Sequence, residues 1–303
     1  MQRRWLRFFA APDRSRKHGG IPGVVAPGVE SELVQEGFTF TEGPVGTADG
    51  GLYFSDIRVN RVFHLDAAGK ITVARENTNG TNGIALTKEG ELLFAEGGGK
   101  RISKRGRDGT ITTVTDSFEG KPFLSPNDLL VDARGGLYIT DPGPRPVVPG
   151  RPTYVFYLPA GAKEPIAIDT QVPRPNGLTL TRDGRTLIVD DTLNPFRLRL
   201  RRASRRHGQE QAHLRPVARY PVRHRKWRRR HGDRSRRPRL HHNRRPACRC
   251  STLRAATSAR SRSARQGANV AFAGPDKRTL YITAREGLYR IKTLAQGPDR
   301  LGK

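Results

Sequence analysis

A turn followed by a short apolar strand recurs five times along the chain, as ADGGLYFSD (48–56), KEGELLFAE (88–96), ARGGLYITD (133–141), RDGRTLIVD (182–190) and PDKRTLYIT (275–283). In each copy a small or polar turn, often D-G or E-G, precedes β-branched and aromatic residues that favour extended backbone. The leucines in register are Leu52, Leu92, Leu137, Leu187 and Leu280, at intervals of 40, 45, 50 and 93. A period of ~40–50 residues containing several short strands is that of a β-propeller, in which one four-stranded sheet forms each blade. A sandwich of irregular hairpins would not hold this register over five copies. The last interval is about twice the others, so one copy is missing near position 233. The expectation is an all-β, six-bladed β-propeller spanning 31–303.

A polar residue stands ten or eleven positions before each leucine: Glu42 in TEGPV, Asn82 in TNGIAL, Asn127 in SPNDLLV, Asn176 in RPNGLTL and Asn269 in GANVAF. The first strand of each blade lines the axial channel, so equivalent positions converge on one ring. Carboxylate and amide oxygens in such a ring suit a hard cation, Ca²⁺ above all, which takes 6–8 oxygen ligands. Any single Asn could equally close a turn through its side chain.

The missing copy falls where the composition changes. Between residues 197 and 266, 24 Arg and one Lys stand against Glu210 and Asp233, a net +23 of the chain's +28, which leaves +5 for the rest. This segment also holds both cysteines and six of the eight histidines, with no Ile, Phe or Met. A basic arm that binds nucleic acid through phosphate contacts is one reading of it. A zinc site from His241, His242, Cys248 and Cys250 is another, but the C-x-C pair lacks the usual ligand spacing. A third is a reading-frame shift, because GC-rich DNA read out of frame yields Arg, Ala, Pro, Ser, Gly and His. The strand pattern stops near Phe196 and resumes near Gly267 after about one blade's length. An inserted arm would add residues beyond the six-blade count, so the frame shift is preferred. Such a segment buries too little apolar surface to offset its ordering entropy. The fifth blade is therefore expected to be scrambled or disordered, together with the outer strands of the fourth.

The segments FTFTEGPVGTADGGLYFSDI, EGKPFLSPNDLLVDARGGLYITDPG, RPNGLTLTRDGRTLIVDD and ANVAFAGPDKRTLYITAREGLYRI resemble the senescence marker protein, gluconolactonase and luciferin-regenerating enzyme family, the regucalcin-like lactonases. The resemblance covers about residues 31–196 and 267–297. It implies a six-bladed propeller, one divalent ion in the channel (usually calcium, with Zn²⁺, Mn²⁺ or Mg²⁺ as alternatives) and hydrolysis of sugar lactones. Carried over by motif, Glu42, Asn127 and Asn176 are the metal positions, and Asn82 and Asn127 face the substrate. The regucalcin branch has an Arg two residues before the S-P-N-D asparagine; here it is Ser125. The family's remaining ligand and acid/base, an Asp opening the fifth blade, should fall near 220–235. Asp233, followed by Arg234 with no apolar strand around it, does not match that role, so the catalytic residue has no assignment. With Glu42 as the lone carboxylate, weakened calcium binding and little lactonase activity are expected.

No G-x-S-x-G motif is present, which removes support for a nucleophile-elbow hydrolase. Nor does any apolar run approach a membrane span. Residues 1–30 read as a tail that fits a damaged export signal, leaving cytoplasm and periplasm both open. The partner expected is a small sugar lactone rather than nucleic acid. The competing reading is a non-catalytic propeller with a basic arm for nucleic acid or anionic surfaces, and the oligomeric state is not legible.

Overall fold

The computed structural model describes residues 20–193, 196–202, 214–221 and 267–298. The N-terminal stretch 1–19, the segment 222–266 with its Arg-rich run, and with them Asp233, His241, His242, Cys248 and Cys250, lie outside the described residues. So does the expected fifth blade; of the Arg-rich segment 197–266, 197–202 and 214–221 are described.

Among the described residues there are strands, turns and bends but no helix. The first sheet contains the C-terminal half of β1 (Glu32–Gly46), then β2 (Leu52–Asp56), β3 (Arg61–Leu65) and β4 (Ile71–Glu76). The second is β5 (Thr81–Leu86), β6 (Leu92–Glu96), β7 (Arg101–Arg105) and β8 (Ile111–Thr115). A two-stranded ribbon, β9 (Ser117–Phe118) with β10 (Lys121–Pro122), leads into the third. The third is β11 (Asp128–Val131), β12 (Leu137–Asp141), β13 (Tyr154–Leu158) and β14 (Ile166–Asp169). The fourth is β15 (Pro175–Leu180), β16 (Thr186–Asp191), β17 (Phe196–Arg202) and β18 (Leu214–Pro221). All are antiparallel meanders, the arrangement short hairpin turns dictate. The five leucines of the repeat are the first or second residue of the second strand of a sheet, and all five are buried.

The expectation that the outer strands of the fourth sheet would be lost is corrected. β17 and β18 pair from Phe196↔Pro221 to Arg202↔Leu214. The run FRLRLRR alternates with period two, and that local pattern suffices for a strand despite its charge.

The last sheet shows how the fold closes. β19 (Asn269–Ala273) pairs with the first half of β20 (Thr279–Lys292). The N–H of Thr293 donates to the carbonyl of Arg278, and Arg285 has φ +54°, so β20 doubles back near 284–286. Its second half then pairs with the N-terminal half of β1, from Glu32↔Arg290 to Glu36↔Gly287. The first described strand thereby completes the last sheet before crossing into the first.

Apolar clusters sit between neighbouring sheets. Val45, Val62, Ile84 and Phe94 join the first to the second, Leu129, Ile139, Phe156 and Ile102 the second to the third, and Leu130, Val155, Leu178 and Val189 the third to the fourth. Phe38, Phe54, Ala271 and Leu288 join the last to the first. Val24 and Val25, inside the stretch whose composition sets it apart as a tail, are buried against Val270, Leu280 and Ile282. Two β-branched side chains and the bond from Leu294 N to the carbonyl of Val24 attach that stretch to the last sheet.

Candidate functional site

Each ring residue of the repeat stands at the start of the first strand of its sheet. Glu42 lies in β1 opposite Ser55, Asn82 in β5, Asn127 immediately before β11, Asn176 in β15 and Asn269 at the head of β19. Glu42 is 8 % exposed and the four asparagines are half-buried.

Hydrogen bonds between sheets tie these positions into a row. The Ser55 hydroxyl of β2 donates to the carbonyl of Asn82 at 2.7 Å. The N–H of Gly83 donates to the carbonyl of Asn127 at 2.8 Å, and the Thr140 hydroxyl of β12 to the carbonyl of Asn176 at 2.7 Å. At the closing junction the Thr41 hydroxyl reaches the carbonyls of Arg285 and Gly287 and accepts from the N–H of Ala284. The contacts from Ser55, Gly83 and Thr140 thus engage the backbone carbonyls of Asn82, Asn127 and Asn176 rather than their side-chain amides. The Asn176 amide nitrogen donates to the Thr192 hydroxyl, which orients the amide.

Close approach of these strands explains a signal that residue-type reasoning passes over: glycine follows the ring residue at 43, 83 and 177. A β-carbon on Gly43 would lie 1.9 Å from the carbonyl oxygen of Asn82, and one on Gly83 2.8 Å from the Cα of Asp128. Only glycine lets successive inner strands touch backbone to backbone.

A second repeated group, also missed, is the carboxylate at the end of the second strand. Asp56 accepts from the N–H groups of Thr39 and Phe40 at 2.7 and 2.9 Å. Asp141 accepts from those of Leu124 and Ser125 at 2.7 and 2.8 Å. The offsets are identical, and each clamp closes two residues before a ring residue, Glu42 in one case and Asn127 in the other. Burial pushes the Asp141 carboxyl above the usual carboxylate range, against the pull of the N–H donors of Leu124, Ser125 and Gly143. Glu96, one methylene longer, turns elsewhere and receives Arg75, Asn79, Arg101 and Ser103. Burial opposes its charge, but these four donors outweigh it and hold Glu96 at about 2.

The profile of the SMP-30/Gluconolactonase/LRE-like region matches residues 40–210, more than half of the chain. The chain belongs to this family. The match runs beyond Phe196, through β17. Gluconolactonase of Zymomonas mobilis is 29 % identical over 187 residues, 53 % of this chain and 51 % of that protein, so the chain spans about half the length of this curated relative. Among solved structures, a gluconolactonase from Xanthomonas campestris superposes with a TM-score of 0.60 at 18 % identity, covering 87 % of this chain and 89 % of that one. A calcium-binding regucalcin from Agrobacterium tumefaciens gives 0.60 at 16 %, covering 89 % and 97 %. A luciferin-regenerating enzyme gives 0.62 at 14 %, covering 91 % and 99 %. At these identities the structural likeness establishes the propeller fold.

Among the described residues no group of three or more His, Cys, Asp or Glu side chains is placed to hold a metal ion. The expected set is of another kind, one carboxylate with amide oxygens. These are hard neutral and anionic oxygen donors, chemically suited to Ca²⁺ or Mg²⁺ and poorly to soft metals. Arg174, two residues before Asn176, is 5 % exposed and donates to the carbonyls of Pro142, Gly143 and Pro144. Burial, with the Arg145 charge nearby, pushes its guanidinium below the usual value.

Proposed function

We propose that the chain is a divalent-cation-dependent sugar-lactone hydrolase of the gluconolactonase type, with slow turnover. The reading is carried by the register of Glu42, Asn82, Asn127 and Asn176 at one end of successive inner strands in a member of this family. Glu42, Asn127 and Asn176 would hold the cation, with calcium the first candidate. When bound, such an ion supplies Lewis-acid polarisation of the lactone carbonyl and a lowered pKa for water.

The protein's own side chains do the rest. The Asn82 and Asn127 amides hydrogen-bond sugar hydroxyls and orient the ring. The clamps at Asp56 and Asp141 fix the backbone on which Glu42 and Asn127 are mounted, so these groups meet substrate without reorganising. Proton abstraction from the attacking water calls for a general base at the fifth-blade register, where the sequence offers an Arg-rich run. For that reason turnover is proposed to be weak, and a frame shift downstream of the family match, which runs to 210, is our account of that run.

The test is a pH-stat assay of glucono-1,5-lactone with calcium, after chelation, and after calcium is restored. Slow hydrolysis that is lost and regained with the ion, and that falls by about tenfold or more in Glu42→Gln and Asn176→Ala, is expected for removed charge-assisted contacts. Hydrolysis at the spontaneous rate under all conditions, with no calcium-dependent shift in melting temperature, would overturn the reading.

A further inference from the structure

The ring residues and the connections between second and third strands lie at the same end of the sheets, because the strands are antiparallel. Those connections are 57–60, 97–100, 142–153, 192–195 and the reversal of β20 at 284–286. Four of the five carry exposed basic residues, Arg58, Lys100, Arg145 with Arg151, and Arg285, while 192–195 carries none. Glu286 is the only acid among them. Arg58, Lys100, Arg145 and Arg151 make no ion pair within 4 Å among the described residues, where paired cations are Arg61, Arg75, Lys88, Arg101, Lys104 and Arg290. The Arg151 charge does act on the Asp141 carboxylate, favouring its ionised form.

The opposite end is different. Its turns mix signs, with Asp49, Lys88 beside Glu89, Asp183 beside Arg185, and Asp276 beside Lys277. The basic excess is thus confined to the ring end.

It is densest between the third and fourth sheets. The connection 142–153 is three times the length of 57–60 or 97–100 and contains five prolines, which limit its freedom. The buried Arg174 guanidinium binds the carbonyls of 142, 143 and 144, which holds Arg145 next to the strand that bears Asn176. The Asp141 carboxylate beside this loop already accepts three backbone N–H groups, from Leu124, Ser125 and Gly143.

We propose that this rim is an anion-recognition surface and that the lactone it admits carries a charged group, a carboxylate or a phosphate, directed at Arg145 and Arg151. The inference rests on the lactone reading of the ring. Exposed guanidiniums with no salt bridge, set beside a binding site, focus the field on an incoming anion and offer the planar fork that carboxylate and phosphate accept.

The test is calorimetric binding to the full chain in calcium buffer, using hydrolysis-resistant lactams: gluconolactam, its 6-phosphate, and the lactam bearing a 6-carboxylate. At 20 mM NaCl at least one anionic lactam is expected to bind about tenfold more tightly than the neutral one, with the advantage largely lost at 0.5 M NaCl through screening. The phosphate and carboxylate arms identify which anion the rim takes. The double variant Arg145→Ala/Arg151→Ala should remove the advantage and leave neutral binding unchanged. Arg107→Ala, at the opposite end beside the Glu89 carbonyl, should remove nothing. Equal binding of neutral and anionic lactams, or an advantage that survives the double variant, overturns this inference and leaves the lactone reading standing. Binding of none of the three removes both.

Discussion

The third and fourth sheets have the same strand number and order, yet among the described residues they are covered differently. The third is covered on both faces, by Phe123, Ile102 and Ala85 on one side and by Leu178, Leu187 and Val189 on the other. The fourth packs on the third through those same residues, while its next neighbour in sequence is the Arg-rich run. Its outer strands are nevertheless paired throughout. A meander needs only local alternation and a hairpin to exist, whereas firm placement needs apolar neighbours on both sides.

The comparison breaks most visibly in the core of the third sheet. Phe156 touches Phe118, Phe123 and Tyr154 at centroid distances of 5.2, 5.3 and 4.9 Å. Phe156→Ala should cost about 3–5 kcal/mol in denaturant titrations, against about 1–3 for Val189→Ala in the fourth sheet. A cost for Val189→Ala as large as that for Phe156→Ala would overturn this ordering.

The next effect is a pH dependence in the second sheet. The carboxyl of Glu96 lies at about 2 in the folded chain against 4.5 when unperturbed. Its contribution is therefore complete above pH 4.5 and is lost as pH falls toward 2, a loss on the order of 3 kcal/mol. Glu96→Gln should flatten that part of the stability–pH curve; an unchanged curve would show that the Arg75–Glu96–Arg101 cluster does not contribute it.

Strand contact offers a sharper pair. A methyl on Gly83 strikes the Asn127–Asp128 backbone, whereas on Gly177 its nearest described atom is Asp190 Oδ1 at 3.4 Å. Gly83→Ala should cost about 2 kcal/mol through forced separation of the strands, and Gly177→Ala less than about 1.

The smallest effect separates the clamps. Asp141→Asn keeps the shape but not the charge that receives Leu124, Ser125 and Gly143, and should cost about 1–2 kcal/mol. Asp56→Asn, whose carboxylate receives two N–H groups, those of Thr39 and Phe40, should cost somewhat less. If Asp141→Asn also weakens calcium binding, the clamp positions Asn127; unchanged calcium binding would show that it does not.

Much of this was legible in the chain. The register of Leu52, Leu92, Leu137, Leu187 and Leu280 located the second strand of each four-stranded meander and of the last sheet, and E-G-P, S-P-N-D and R-P-N-G marked the heads of first strands. The clamps were not, since Asp56 and Asp141 read as ordinary strand ends until their N–H partners sixteen and seventeen residues upstream are seen. Nor was the survival of β17, because charge density argued against it more loudly than its two-residue alternation argued for it.

The sequence by itself determined what is local: turn chemistry, strand alternation, the repeat length, and the residue types at each inner-strand head. These act over a few bonds and leave a periodic trace. Only the tertiary structure decided how the first strand closes the last sheet, with Glu32 opposite Arg290, and why glycine must follow Glu42 and Asn82. It also decided that the basic residues of four separate connections share one end. Those are contacts between residues distant in the chain, and the geometry that creates them exists only once the sheets have packed.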